Sequence, residues 1–351
     1  MKVLILGGTG AMGIHLVKLL SENGVETVVT SRTSRRSVGN VRYIQGNARD
    51  DDFLQIILQE RWDAIVDFMT YTTLSFEKRI DFLLNATSQY VFLSSARVYA
   101  GSETPITETS SRLLDVSKDE EFLSTDEYSL AKARQENVLK QSGRSNWTIV
   151  RPYITYSEIR LQLGVLEKEE WLYRAMKGRT IVFSSDIISR LTTMTYGGDV
   201  ARGISALIGN SSARGETFHI TAKNVLTWNK VLTIYLDSLE QHLGRRPRVL
   251  LQNLNAFMKC KNVEYQIKYD RLFDRVFDNA KCSEHIDTSS FVRTERGLRS
   301  CLEHFLQNPQ FRNINWYSEA LKDRQTKERA SLREISGIKQ KLRYLHSRYL
   351  A

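Results

Sequence analysis

Tyr128-Ser129-Leu130-Ala131-Lys132 sets a phenol and an amine four residues apart. On a helix that spacing is one turn, so the two side chains share a face. An ammonium at Lys132 would favour the phenolate of Tyr128, and a phenolate near neutral pH can take a proton from an alcohol. This is the proton half of a reaction in which the alcohol carbon gives a hydride to a nicotinamide. Upstream, Ser95 closes the run Phe92-Leu93-Ser94-Ser95 at the end of a predicted strand. A hydroxyl at the carboxyl end of a parallel strand lies where such sheets bind ligands, and it could hold the reacting oxygen and stabilise charge on it. The Tyr-x3-Lys spacing carries little information alone, because the chain has 15 tyrosines and Tyr173 with Lys177 makes a second match. That pair has no serine-bearing strand end before it and reads as a helix surface or core residue.

These residues need a scaffold, and the chain begins with one. The apolar run Val3-Leu4-Ile5-Leu6 leads directly into Gly7-Gly8-Thr9-Gly10-Ala11-Met12-Gly13. The spacing fits both G-x-x-G-x-x-G and G-x-G-x-x-G. A helix is expected to open at Ala11 and continue through Ile14-His15-Leu16-Val17. Glycines let the backbone approach a pyrophosphate, and the helix N-terminus offers free N–H groups and a favourable dipole. Gly7, Thr9, Gly10, Ala11, Met12 and Gly13 are therefore candidate cofactor-binding residues.

Strand-like runs at 2–6, 26–30, 41–44, 64–68, 90–94 and 147–150 alternate with helical patterns around 11–23, 51–60, 74–86 and 125–142. Such alternation implies an α/β fold, a doubly wound parallel sheet with helices on both faces. It spans a dinucleotide-binding domain over 1–152. Beyond Pro152 the pattern loosens, with helices near 167–177, 199–208, 228–241 and 289–306 and strands near 180–183 and 217–220. Residues 153–312 read as a smaller substrate lobe interleaved with the last sheet strands. Residues 313–351 read as one long basic amphipathic helix from about Asn315, with Ile335, Leu342 and Tyr349 in a seam and Ile338 and Leu345 between them. That seam would pack on its own domain, on another subunit, or against an acidic partner or membrane surface.

The end of the second strand bears on the choice of cofactor. NAD users place a carboxylate there for the ribose 2′-hydroxyl. This chain has Ser31, then Arg32, Arg35 and Arg36. Arginines suit a 2′-phosphate, so NADP is favoured over NAD. Of the net charge of +10, half lies in 317–351, where nine Lys/Arg face four Asp/Glu. That is a basic tail on an ordinary domain rather than a broad nucleic-acid surface. Cys260, Cys282 and Cys301 lack metal-ligand spacing and read as plain thiols, so no metal is expected. The first strand begins at Lys2, no apolar run reaches about 18 residues, and the expected location is cytoplasmic.

Taken together, these motifs resemble the extended short-chain dehydrogenase/reductases, in the NAD(P)-dependent epimerase/dehydratase branch that acts mainly on nucleotide sugars. The matching pieces are the Gly7/Gly10/Gly13 loop, Gly46-Asn47-Ala48-Arg49-Asp50, Ser94-Ser95-Ala96-Arg97-Val98-Tyr99, Tyr128-x3-Lys132, Arg151-Pro152, Gly197-Gly198-Asp199-Val200-Ala201 and Leu226-Thr227-Trp228. The resemblance implies a Rossmann fold, with catalytic roles for Ser95, Tyr128 and Lys132. It also implies that Lys132 binds the nicotinamide ribose, with Asn47, Ala48, Phe68 and Met69 along the cofactor. A homodimer is implied as well. Ser95, Tyr128, Arg97 and Arg190 are the candidate substrate-binding residues, with Arg160 a further phosphate candidate. Family dehydratases carry an acidic pair after the catalytic Ser/Thr, where this chain has Ala96 and Arg97. Dehydration is thus disfavoured, while epimerisation and keto-sugar reduction survive. Ile154 stands where many relatives have Asn, and Asp67-Phe68-Met69-Thr70-Tyr71 replaces the usual small-residue run. That segment resembles a divergent subset that includes plastid RNA-associated proteins. The alternative reading is therefore a non-catalytic cofactor-binding or RNA-associated protein on the same fold.

Overall fold

The computed structural model describes residues 1–349. The chain divides into two compact units. The first comprises Met1–Ser157, Thr193–Val225 and Arg275–Thr294; the second comprises Glu158–Thr192, Leu226–Asp274 and the chain from Glu295.

In the first unit, seven parallel strands form one sheet. They are β1 (Lys2–Leu6), β2 (Glu26–Ser31), β3 (Val41–Gln45), β4 (Ala64–Asp67), β5 (Tyr90–Leu93), β6 (Trp147–Pro152) and β7 (Glu216–Ile220), in the order β7-β6-β5-β4-β1-β2-β3. The order reverses between β1 and β4, where Val3 pairs with Ala64 and Leu6 with Asp67. The carboxyl ends at such a switch point form a ligand crevice. Helices cover both faces: α1 (Gly13–Glu22), α2 (Asp51–Ile57), α3 (Thr73–Glu77), α4 (Ile80–Asn85), α5 (Tyr128–Gln141) and α6 (Gly197–Leu207). Alternate strand residues feed two cores, as a sheet buried on both faces requires. Val3, Ile5, Val66 and Val91 join Leu16, Leu20 and Ile204 in one; Leu4, Leu6, Ile65 and Phe92 join Leu54, Phe76 and Leu83 in the other.

Three expectations are corrected here. The helix expected from Ala11 starts at Gly13. The helix expected over 74–86 is two short ones, α3 and α4. The third concerns the C-terminus, which lies in the second unit.

The second unit contains α7 (Leu172–Met176), α8 (Trp228–Leu243), α9 (Thr294–Gln307), α10 (Trp316–Thr326) and α11 (Ile338–Tyr349). The single helix expected from Asn315 is thus two. Lys327 takes a left-handed φ of 56° and ends α10, and Gly337 at φ 78° precedes α11. The two helices pack on each other around Trp316, Ala320, Ala330, Ile335 and Tyr344. The expected seam splits. Ile335 is buried and Leu345 half-buried, whereas Ile338 is 76% and Leu342 62% exposed. Tyr173 lies in this core and donates to Glu334 at 2.9 Å, so the second Tyr-x3-Lys match is structural.

A buried charge cluster fixes α10. Arg174 of α7 donates to Glu319 at 2.9 Å and to Asp323 at 2.7 Å. Asp323 also accepts from Arg179, Tyr344 and the Ala330 N–H. The three cysteines are free and buried, and burial pushes the Cys282 thiol up to about 12, away from reactivity at neutral pH. Among the described residues no helix is long and apolar enough to cross a membrane, and no group of metal-ligating side chains occurs.

Removing one partner from a buried ion cluster strands the others. Arg174→Ala is expected to cost about 3–5 kcal/mol in urea denaturation. Leu342→Ala, on the exposed side of α11, should change stability by less than about 0.5 kcal/mol.

Candidate active site

The glycine loop leaves β1 at the switch point. Gly7 sits at φ 73°, a conformation that favours glycine, and a Cβ there would lie 2.7 Å from the Met69 sulfur. Its N–H donates to the Thr30 hydroxyl at 3.0 Å. Gly13 opens α1 against the loop itself: a Cβ would come within 2.6 Å of the Gly8 backbone. Gly10 is the opposite case, with nothing within 4 Å of its Cβ position. Met12 caps α1 with no side-chain hydrogen bond, so no side chain competes for the helix's leading N–H groups. The Gly10 carbonyl already accepts from the Ile14 N–H at 3.1 Å, so the turn before the helix is nearly helical. Thr9 and Ala11 are half-buried beside it. A close-packed loop with one open glycine and an uncapped helix start fits a pyrophosphate.

Around this loop the other cofactor candidates gather at strand ends. Ser31 is buried at the end of β2 and accepts from the Thr33 N–H at 3.3 Å. Arg32, Arg35 and Arg36 follow on an exposed segment, with the Arg35 guanidinium 5.9 Å from the Tyr43 ring centroid. Asn47 is exposed and accepts from the Arg49 N–H at 3.2 Å, and Ala48 is buried. Phe68 and Met69 are half-buried just beyond β4.

The catalytic candidates meet at α5. Tyr128 is its first residue and is 36% exposed; Lys132, one turn on, is 2% exposed. Both line a cleft of about 460 Å³, with Arg49, Thr70, Tyr71, Thr72, Ser75 and Asp126. The Lys132 Nζ donates to the Leu93 carbonyl at 2.7 Å and the Met69 carbonyl at 3.5 Å, and lies 4.4 Å from the Phe92 ring centroid. Burial lowers its pKa to about 8, against the charges of Asp67 and Glu136, which hold it up. Ser95 is buried two residues beyond Leu93, where its Oγ accepts from the Arg97 N–H at 3.2 Å. It is not part of the cleft lining.

Arg97 occupies a different place from a free substrate ligand. Its guanidinium donates to Glu127 at 2.6 Å and stands 5.2 Å from the Tyr128 ring centroid. Glu127 in turn caps α5 by accepting from the Ser129 N–H at 2.7 Å. Arg190 is exposed in the second unit. Arg160, also there, pairs with Glu167 at 2.9 Å.

Two buried carboxylates were not read from the sequence as site residues. Asp67 ends β4 and accepts from the Met69 N–H at 2.8 Å and from the Tyr71 and Tyr90 hydroxyls at 3.0 and 2.8 Å. Glu136, one turn beyond Lys132, accepts from Ser94 at 2.6 Å, from two Arg151 nitrogens at 2.8 and 2.6 Å, and from Arg112 at 3.2 Å. Burial opposes the charge on Glu136, yet the Arg151 contacts outweigh it and hold the carboxyl below the usual range. The signal available was Asp67's place at the end of an apolar strand run.

A parallel sheet with a glycine loop at its switch point and these side chains on its carboxyl edge defines a nucleotide-binding α/β protein of the Rossmann type. The profile of the NAD dependent epimerase/dehydratase family matches residues 3–221, and the chain belongs to that family. The chain is 24% identical over 246 residues to the chloroplast stem-loop binding protein of 41 kDa b of Arabidopsis thaliana, covering 65% of this chain and 60% of that protein. It is 22% identical over 254 residues to 2′-dehydrokanamycin reductase of Streptomyces kanamyceticus, covering 70% and 67%. Among solved structures, UDP-glucuronic acid 4-epimerase of Bacillus cereus in complex with UDP-glucuronic acid and NAD superposes with a TM-score of 0.65 at 16% identity, over 88% of this chain and 99% of that one. That likeness shows the fold.

The glycine geometry separates two substitutions. Gly13→Ala should destabilise the protein by about 1–3 kcal/mol, because the helix must move off the Gly8 backbone. Gly10→Ala should leave stability within about 0.5 kcal/mol. Denaturation midpoints of the two variants check the contrast.

Proposed function

We propose that the chain is an NAD(P)-dependent oxidoreductase or epimerase acting on a nucleotide-activated sugar, by 4-epimerisation or keto-sugar reduction. The observation that carries this reading is Tyr128 and buried Lys132 lining one cleft at the carboxyl edge of the sheet. When bound, a nicotinamide dinucleotide supplies the acceptor or donor of hydride. Tyr128 takes the proton from the sugar hydroxyl, or returns it to a carbonyl oxygen. Ser95 donates a hydrogen bond to that same oxygen as charge develops. The Lys132 ammonium offers N–H groups to the ribose. Ala96 and Arg97 supply no acid or base for eliminating water, which favours redox chemistry without dehydration.

Arg32, Arg35 and Arg36 support NADP over NAD, since guanidinium groups match a 2′-phosphate. Arg97, engaged by Glu127 beside Tyr128, and the exposed Arg190 are the candidate partners for a substrate phosphate. The nucleotide sugar in the Bacillus cereus epimerase supports the substrate class.

A second reading rests on the stem-loop binding relative and the basic C-terminus. Deleting residues 317–351 would tear out Glu319 and Asp323, so charge reversal at Lys339, Lys341 and Arg343 is the informative change. RNA affinity that falls steeply with salt and with this reversal would favour that reading.

Tyr128→Phe should lower turnover of a UDP-sugar by at least about 10²-fold while leaving melting temperature and cofactor affinity unchanged. Equal turnover in wild type and variant removes the mechanism. Fluorescence titration should show NADPH bound more tightly than NADH. Because the Lys132 pKa lies near 8, affinity should hold from pH 6 to 7 and fall as pH rises through about 8 and the ammonium is lost.

A further inference from the structure

We propose that Asp67 is a positioning residue for this site, a buried carboxylate set behind Lys132 whose fixed negative charge keeps that amine an ammonium. The proposal rests on the role given to Lys132 above. Asp67 is the last residue of β4, paired in register with Leu6 of β1 and Phe92 of β5, and is fully buried. Its three hydrogen-bond partners are all donors: the Met69 N–H and the Tyr71 and Tyr90 hydroxyls. The Met69 N–H can only donate, and two hydroxyls turned to donate beside it give a carboxylate three partners that offset its burial.

Those three partners are neutral, so the charge needs a cation elsewhere. The Met69 peptide provides the link. Its N–H donates to Asp67 and its carbonyl accepts from the Lys132 Nζ at 3.5 Å. Burial pushes the Asp67 carboxyl up from its ordinary value and the Lys132 amine down, and across this one peptide unit each charge opposes the other's shift. Other charged groups around the pair are already matched. Glu136 on α5 is held by Arg151 and Arg112, and Arg79, 4.6 Å from the Tyr71 ring centroid, is paired with Asp51. Asp67 thus has no arginine of its own, and Lys132, reached through the Met69 peptide, is the cation left to balance it. The chain spends a buried charge at the position where the resemblance leads one to expect small residues, and Tyr71 and Tyr90 are placed to solvate it.

Asn at 67 keeps the shape and removes the charge. The test is titration of the Lys132 side chain in the free full-length protein by NMR of ε-carbon-labelled lysine, with the signal assigned by Lys132→Met. Asp67→Asn should weaken the proton affinity of Lys132 by about tenfold, one pH unit in midpoint. A change below about threefold overturns the proposal. Tyr90→Phe, which removes a donor and keeps the charge, should leave the midpoint in place; an equal fall in that variant also overturns it, since the effect would then be structural.

A second measurement needs no variant at Asp67. Its carboxyl carbon in the wild-type protein should read as a carboxylate from pH 6 to 10, and a protonated carboxyl at pH 7 overturns the proposal. Neither titration uses a cofactor, so each stands if the enzymatic reading fails. That reading falls separately, if Lys132→Met binds NADPH as the wild type does.

Discussion

A charged amine inside the fold is the constraint on which the first unit depends. Moving an ammonium out of water costs several kcal/mol unless its donors are satisfied and opposite charge is near. Lys132 meets both conditions with groups available only at the carboxyl ends of parallel strands. The carbonyls of Leu93, at the end of β5, and Met69, just beyond β4, accept from it, the Phe92 ring lies 4.4 Å away, and Asp67 and Glu136 supply negative charge. Because these acceptors lie at the ends of two different strands, the lysine is satisfied where both are within reach. That fixes the rotation of α5, and Tyr128, one turn earlier, is carried to the open rim of the cleft. A closed amine and an accessible phenol are two consequences of one helix placement.

The rest of α5 reinforces that placement with polar ties beside its buried Leu130, Ala133 and Leu139. Ser129, Gln135 and Glu136 are buried along with Lys132. At the N-terminus Arg97 pairs with Glu127; two turns along, Glu136 joins Ser94 at the end of β5 to Arg151 of β6 through a bidentate pair. A helix held by such pairs has little freedom to slide, since each buried group would lose its partner. This is the kind of rigidity a proton-transfer site needs, where reacting atoms must stay within hydrogen-bond reach.

The legible parts of the sequence were those with a short period or a local rule. Alternation of apolar strands and helices specified the sheet, and the spacing of Gly7, Gly10 and Gly13 marked its first turn, where Gly13 answers the Gly8 backbone and Gly7 a left-handed φ. What could not be read depends on partners far along the chain. Arg174, Glu319 and Asp323 look like surface charges, and their burial follows from residues about 150 positions apart meeting. The break between α10 and α11 turns on Lys327 in a left-handed conformation, which its residue type does not announce. Asp67 was visible as a departure from the family pattern, but Tyr90 and Lys132, which give it meaning, lie on other elements. Ile154 is a similar departure: at φ 20° it holds a backbone angle that β-branched residues rarely adopt, at the position where relatives carry Asn.

The replacements near the cleft are coherent with one another. A dehydratase site needs an acid and a base beside the hydroxyl it expels, and positions 96 and 97 would be where this family holds them. Here Ala96 is fully buried and Arg97 turns its charge toward Glu127 and the Tyr128 ring. A guanidinium in that place offers N–H donors and no acceptor. It can do something else. Tied through Glu127 to the helix cap, it places a positive charge 5.2 Å from the centre of the Tyr128 ring. Ala and a paired Arg at these two positions agree with the proposed chemistry, in which one phenol moves one proton per step. Epimerisation and carbonyl reduction are reactions of that kind.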